Sequence, residues 1–251
     1  MNLLRIAAAA ALFAFAAPVP AGAAEIQFPA QNWSFSGPFG TFDRASAQRG
    51  FQVYSEVCAA CHAVKQAYYR DLKGIGLEPK EIEAIAGAVL IADIGDDGQP
   101  MERKGQASDR LRSPFPNERA ARAAYNGAYP PDLSVIVKAR AGGADQLYAL
   151  LVGYDKAPAS MTISDGMYYN KYFAGHQIAM PPALSDGQVD YADGTRASVE
   201  QMARDVTTFF AYIAEPEMEV RKRMGVKVVL FLIFMTGITY AVKRRVWADV
   251  H

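Results

Sequence analysis

Two cysteines and a histidine form the part of this 251-residue chain whose types and spacing best suit chemistry. Cys58 and Cys61 are the only cysteines in the sequence, and His62 directly follows the second of them. In this spacing two thiols can add across the two vinyl groups of a haem, and the next imidazole reaches the iron as its proximal ligand. The pattern therefore predicts one covalently attached haem c held by these three residues.

Other uses of a cysteine pair are a disulfide, a redox dithiol and half of a zinc site. A structural zinc ion needs four ligands, and the sequence has no second cysteine pair and no histidine pair. A thioredoxin-type dithiol needs a strand that leads into a helix. The approach over residues 44–57 has helical spacing instead, so haem attachment is the interpretation that the sequence favours.

Met180 is the candidate for the second axial ligand of the iron. A soft thioether opposite a histidine favours ferrous iron and raises its reduction potential. Pro181 and Pro182 follow Met180 and fix the backbone, so the sulfur could be held without a helix. His176 is an alternative ligand, although a lone loop histidine is more often hydrogen-bonded or at the surface. Most methionines fill cores, and four others compete for the role: Met101, Met161, Met167 and Met202.

Helices must position these groups. Thr41 or Asp43 can cap a helix over 44–61 that leads directly into the cysteine motif. Hydrophobic spacing and capping residues predict further helices over 79–91, 118–125, 133–140, 144–152 and 199–214. The segments 93–113 and 155–193 have little periodicity, which predicts loops. A loop as long as the second one is usually functional.

The two ends of the chain indicate export and membrane anchoring. A basic start, a short apolar run and small residues predict a signal peptide over residues 1–24. Near the other end, residues 224–242 contain one charged residue, Lys227, and are long enough to cross a bilayer. Basic clusters at 221–223 and 243–245 flank this predicted span.

Basic residues on both flanks leave the positive-inside rule undecided. Because the signal peptide and the haem both belong on the outer side, we expect an inner-membrane protein with a periplasmic haem domain over 25–215. Residues 216–251 would form the anchor, with the C-terminus in the cytoplasm. The 26 basic and 26 acidic residues give a formal net charge of zero, which offers no support for nucleic-acid binding.

Three stretches and the C-terminal span together resemble cytochrome c1, the haem subunit family of ubiquinol–cytochrome c oxidoreductase (bc1) complexes. The stretches are residues 57–62, 126–134 and 172–184, and the resemblance covers nearly the whole mature chain. It implies a mainly α fold, in which a c-type cytochrome domain with long loop insertions is held by one C-terminal transmembrane helix.

The resemblance also implies roles for single residues. Met180 matches the axial methionine of the family, Pro131 matches a proline beside the haem, and Arg140 matches an arginine that meets a haem propionate. Arg110 is a second propionate candidate on charge alone, and a solvated loop arginine is the alternative. Some bacterial members carry an extra cysteine pair, which this chain lacks.

The function implied is electron transfer in a respiratory or photosynthetic bc1 complex, which is dimeric. The chain would accept an electron from a Rieske iron–sulfur protein, beside a cytochrome b partner, and pass it to a soluble c-type cytochrome. An independent membrane-anchored carrier and a haem enzyme or sensor with an open distal site are the alternatives. Soluble c-type cytochromes are often basic, so acidic residues are docking candidates: Glu78, Glu81, Glu83, Asp93, Asp96 and Asp97.

Overall fold

A computed structural model describes residues 26–249 of the chain. The predicted signal peptide, residues 1–24, lies outside the described residues. The helices are α1 Arg44–Glu56, α2 Pro79–Gly87, α3 Glu118–Ala124, α4 Ile136–Ala139, α5 Gly143–Val152, α6 Val199–Ala214 and α7 Met218–Val246. There are also 3₁₀ helices over Cys58–Ala60, Tyr69–Ile75 and Ala174–His176. Two antiparallel strand pairs are present in the described residues: β1 Leu90–Ile94 with β2 Pro100–Lys104, and β3 Tyr168–Tyr169 with β4 Gln177–Ile178. The fold is mainly α, as predicted.

The core is built around the crossing of α1 and α6. Both helices begin at predicted caps, because Asp43 accepts a hydrogen bond from the amide of Ser46 and Ser198 accepts one from the amide of Gln201. The two backbones meet at Gly50, where an added Cβ would lie 2.0 Å from the carbonyl oxygen of residue 205. A glycine is therefore required for this close approach.

A fully buried carboxylate lies at the same crossing. Asp205 accepts hydrogen bonds from Ser46 Oγ at 2.7 Å and from Arg49 Nε at 2.9 Å. Gln201 donates a further hydrogen bond to it at 3.0 Å. A buried charge is tolerated only when it is paired and hydrogen-bonded, so this cluster fixes the register of α1 against α6.

The helix predicted over 44–61 ends earlier, at Glu56, and a 3₁₀ turn follows over Cys58–Ala60. In this turn the amides of Cys61 and His62 both donate to the carbonyl oxygen of Cys58, at 3.1 and 2.9 Å. Side chains three residues apart eclipse each other in a 3₁₀ turn. The change of helix type therefore suits the placement of both thiols on the same side of the chain.

The helix predicted over 79–91 ends at Gly87, and the hairpin of β1 and β2 begins at Leu90 and continues into the segment predicted as a loop over 93–113. Gly98 has φ +77° and closes the turn after Asp97. An Asp-Gly pair between short strands is a hairpin signal. The strands are exposed and carry no clear alternation of apolar residues, so the loop prediction was wrong here.

Helix α7 is 29 residues long and spans about 44 Å at the usual helical rise. It is the single helix within residues 26–249 that is long and apolar enough to cross a membrane. The predicted span over 224–242 lies inside it, and apolar side chains along it are exposed in the isolated chain. At its base Met218 is buried and Glu219 forms an ion pair with Arg44 at 2.9 Å.

Candidate functional site

His62 is oriented by a single backbone contact. Its Nδ1 lies 2.8 Å from the carbonyl oxygen of Pro131. Because a carbonyl oxygen only accepts, Nδ1 carries the proton, and the lone pair of Nε2 is left for a ligand. Burial lowers the pKa of His62, although the Pro131 carbonyl and Asp132 act in the opposite direction. The imidazole is therefore held in the neutral form that binds metals.

The segment that carries this carbonyl is tied to the residues after the motif. The amide of Leu133 donates to the carbonyl oxygen of Ala63 at 2.8 Å. The amide of Lys65 donates to Asp132 Oδ2 at 3.0 Å. The amide of residue 66 donates to the buried hydroxyl of Ser134, also at 3.0 Å. Three contacts thus fix the position of the acceptor that orients His62.

Neither Cys58 nor Cys61 forms a disulfide within the described residues. Burial, followed by the proximity of Cys61, raises the pKa of Cys58 to about 12. The hydroxyl of Tyr125 donates to Cys61 Sγ at 2.9 Å, and the ring of Tyr125 packs at a right angle to Phe115. The hydrogen bond to Cys61 raises the pKa of Tyr125 to about 12, so this hydroxyl keeps its proton. Two free thiols and a neutral imidazole on one turn fit the donor set that a covalent haem requires.

A cavity of about 310 Å³ lies against Ala59 and Ala60, the two residues between the cysteines. Phe51 and Tyr54 of α1 form part of its wall, and Tyr54 is almost fully buried. This volume is at the lower end of the range for small-molecule pockets. The attachment sequence is therefore bordered by a largely apolar space.

Met180 lies in the long segment 155–193 and is half-buried. Its carbonyl oxygen accepts a hydrogen bond from the hydroxyl of Tyr154 at 3.0 Å. Burial raises the pKa of Tyr154, so this hydroxyl remains a donor. The carbonyl oxygen of Met180 accepts its hydrogen bond from Tyr154, and the carbonyl oxygen of Arg140 accepts one from the amide of Gly143. Neither of these hydrogen bonds is with the cysteine motif. Pro131, by contrast, contacts His62 directly.

Asn170 is a buried residue that organises this segment, and no sequence pattern indicated this role. Its side chain donates to the carbonyl oxygen of Leu150 at 2.8 Å and accepts from the amide of Tyr172 at 2.9 Å. The same residue forms a β-bridge with Tyr154. The segment that carries Met180 is therefore fixed to α5 through one amide side chain.

Other candidates have different environments. His176 adopts φ +58°, and its Nδ1 contacts the carbonyl oxygen of Asn170 at 3.2 Å. Met202 is fully buried in α6, whereas Met101 is exposed on β2. Arg110 donates to the carbonyl oxygen of residue 65 and stacks over a tyrosine ring. Among the described residues, no cluster of three or more His, Cys, Asp or Glu side chains could hold a separate metal ion.

A sequence model of the Cytochrome C1 family matches residues 33–250. The chain belongs to this family. It is 41% identical over 275 residues to cytochrome c1 of Blastochloris viridis, an alignment that covers all of this chain and 98% of the relative. It is 47% identical over 224 residues to the "Cytochrome b-c1 complex catalytic subunit, mitochondrial" of Candida albicans, covering 88% of this chain and 78% of the relative.

The chain spans about a third of another relative. It is 47% identical over 246 residues to "Cytochrome b/c1" of Bradyrhizobium diazoefficiens, which covers 89% of this chain and 36% of that protein. Membership of the family implies a haem cofactor, and the donor set around His62 fits one.

Proposed function

We propose that this chain is the electron-transfer haem subunit of a bc1 complex. It accepts one electron at a time from a Rieske iron–sulfur protein and passes it to a soluble c-type cytochrome. The observation that carries the proposal is the turn at Cys58–Ala60, in which two free thiols precede an imidazole oriented by the Pro131 carbonyl. Membership of the cytochrome C1 family supports it.

The proposed cofactor is a single covalent haem c. The thiols of Cys58 and Cys61 would each hold the haem through one thioether bond to a former vinyl group. His62 Nε2 and the sulfur of Met180 would bind the iron, and Arg140 would pair with a propionate. When bound, the group supplies a one-electron iron couple.

The protein's part is to hold the iron's surroundings unchanged between the two redox states. Pro131 keeps the His62 ring in one orientation and one tautomer. Tyr154 holds the backbone of Met180 through a hydrogen bond to its carbonyl oxygen. With two protein ligands assigned to the axial positions, no position is left for oxygen or peroxide, which favours electron transfer over oxygen chemistry.

The proposed partners are a cytochrome b, a Rieske protein and a soluble cytochrome, in a dimeric complex. The names of the Bradyrhizobium and Candida relatives support association with a cytochrome b. Among the acidic docking candidates, Asp93 pairs with Arg103, and Glu81 accepts from the amide of residue 78 as a helix cap. Asp96 and Asp97 remain exposed at the hairpin turn and are the stronger candidates.

We further propose that the haem domain, residues 25–215, lies in the periplasm, with residues 216–251 as a single-pass anchor that ends in the cytoplasm. Helix α7 supports the anchor, because its basic ends flank a long apolar run. The predicted signal peptide supports the direction of insertion.

The experiment that tests the function is purification of the full-length chain from membranes in mild detergent through a C-terminal tag. We expect b-type haem and a Rieske paramagnetic signal to co-purify, and quinol to drive reduction of added cytochrome c. A c-type spectrum alone, under detergent conditions that preserve such complexes, would favour an independent anchored carrier.

Met180→Leu tests the axial ligand. Loss of the thioether should lower the reduction potential by on the order of 0.1 V or more, because the axial ligand is a main determinant of haem potentials. Ferrous protein should also begin to bind carbon monoxide. Met101→Leu, at an exposed rival methionine, is the matched control and should change neither property. Unchanged behaviour of Met180→Leu would exclude Met180 as the ligand.

A further inference from the structure

A loop of the N-terminal arm, residues 35–42, is bound to the base of α7. Lys222 Nζ donates to the carbonyl oxygens of Phe35 at 2.6 Å and Gly40 at 3.1 Å. One turn earlier in the helix, Glu219 accepts a hydrogen bond from the amide of the loop's last residue at 2.8 Å. Both ends of the loop are therefore attached to the helix that carries the membrane span.

Phe39 lies at the tip of this loop and is 78% exposed, more than any apolar side chain of α7. The amide of Thr41 donates to the carbonyl oxygen of Ser34 at 3.0 Å, which closes the loop. The ring of Phe35 stacks against the neighbouring Trp33 at 5.4 Å. Phe39 is thus the aromatic residue of the loop that does not turn inward.

A single exposed aromatic side chain is common on soluble proteins and indicates nothing by itself. The position of Phe39 along the axis of α7, and hence its depth relative to the bilayer, is more informative. The apolar run 224–242 is about 28 Å long, which is close to the hydrocarbon thickness of about 30 Å. The whole of α7 is about 44 Å long, which is close to the full bilayer thickness of about 40–45 Å. Residues 218–223 then lie in the headgroup layer.

The loop is attached to residues 219 and 222, so its tip lies at this same level. Arg223, the residue after Lys222, is exposed and suits the phosphates of lipid headgroups, whereas Arg221 forms an ion pair with Glu215 at 2.8 Å. An aromatic ring in this layer buries its apolar face among the upper acyl chains. The surroundings of Phe39 are therefore those of the lipid interface.

We propose that the tip of loop 35–42 is a second membrane contact, in which Phe39 inserts into the phospholipid interface beside α7. A single helix leaves a domain free to tilt about its point of entry into the bilayer. A second contact at the base of the helix restricts that tilt and sets the height of the haem site above the membrane. This inference requires α7 to lie in a bilayer, but it does not depend on the electron donor or acceptor.

Phe39→Cys provides the test, because haem attachment consumes both native thiols and leaves the new cysteine as the free one. A nitroxide spin label is attached to the full-length haem-loaded chain in phosphatidylcholine–phosphatidylglycerol vesicles. Collision rates of the label are measured with oxygen, which concentrates in the bilayer, and with a water-soluble nickel chelate. Ile94→Cys is the matched control, since Ile94 is 71% exposed on the hairpin of β1 and β2.

We expect the ratio of oxygen collisions to nickel collisions to be several-fold higher at position 39 than at position 94. Equal ratios at the two positions would place the loop in water and overturn the proposal. The measurement is then repeated in the purified complex. A label at position 39 that is shielded there from both reagents would assign the loop to a protein partner, and would also overturn the proposal.

Discussion

The two sides of the candidate haem site are built in different ways. His62 follows a turn continuous with α1, and α1 is fixed against α6 by the close approach at Gly50. Met180 lies in a segment whose regular structure amounts to strands of two residues and a short turn, and its position depends on Tyr154 and Asn170. The first side is held by helix packing, the second by a few polar contacts.

This difference predicts how each side fails. Helix packing is shared by the whole core, so damage to the packing of α1 on α6 should unfold the domain. A segment held by few contacts opens locally at a lower free energy. Damage beside Met180 should therefore free a coordination position of the iron for an added ligand while leaving the fold intact. Three sets of substitutions test this contrast.

Gly50→Ala should have the largest effect. The new Cβ would lie 2.0 Å from a backbone oxygen of α6, and backbone cannot move away as a flexible side chain can. We expect a loss of about 3 kcal/mol or more in the free energy of unfolding, measured by urea denaturation with circular dichroism. Gly87→Ala, which has no atom within 4 Å of the new Cβ, should be neutral or slightly stabilising. Equal stability of the two variants would contradict the role given to the crossing.

Asn170→Ala should have an intermediate effect. It leaves the carbonyl oxygen of Leu150 and the amide of Tyr172 without their partner, at about 1–3 kcal/mol for each buried group. Carbon monoxide should then bind the ferrous protein while the helical circular dichroism stays unchanged. Asn117→Ala is the control, because it removes a helix cap worth about 1 kcal/mol from α3. If Asn117→Ala allowed carbon monoxide to bind equally well, the binding seen in Asn170→Ala would reflect lowered stability alone.

Two tyrosine substitutions form the smallest and sharpest comparison. Tyr125→Phe and Tyr154→Phe each remove one hydroxyl, worth about 0.5–1.5 kcal/mol. Tyr125→Phe should slightly lower the reduction potential, since a donor to the Cys61 sulfur draws electron density from the haem side. Tyr154→Phe should instead allow weak carbon monoxide binding. Redox titration measures the shift in reduction potential, and ligand-binding spectra measure carbon monoxide binding. Identical responses of the two variants would contradict the proposed difference between the His62 side and the Met180 side.

The sequence predicted the His62 side better than the Met180 side. Asp43 and Ser198 cap helices because capping depends on residues three apart, which local patterns report. Tyr125 acts on Cys61, which is 64 positions away in the chain, and the side chain of Asn170 donates to the carbonyl oxygen of Leu150, which is 20 positions away. No local pattern distinguishes such a residue from an ordinary loop asparagine or helix-end tyrosine.

Boundaries were predicted less well than the existence of elements. The helix before the haem motif was predicted to continue to Cys61, but it changes to a 3₁₀ turn after Glu56. The hairpin of β1 and β2 was missed because its strands are exposed and carry no clear alternation of apolar residues. The membrane span predicted over 224–242 lies inside α7, which starts six residues before the span because its first turn packs on the domain.

The short connection between α6 and α7 has a kinetic consequence. Three residues, 215–217, separate the end of one helix from the start of the next. So short a connection cannot act as a flexible tether that swings a redox centre between distant partners. With the proposed function, the haem domain would be stationary on its anchor, and electrons would reach and leave it at the rate at which its partners arrive. Turnover should therefore depend on solvent viscosity and ionic strength through the motion of the partner proteins.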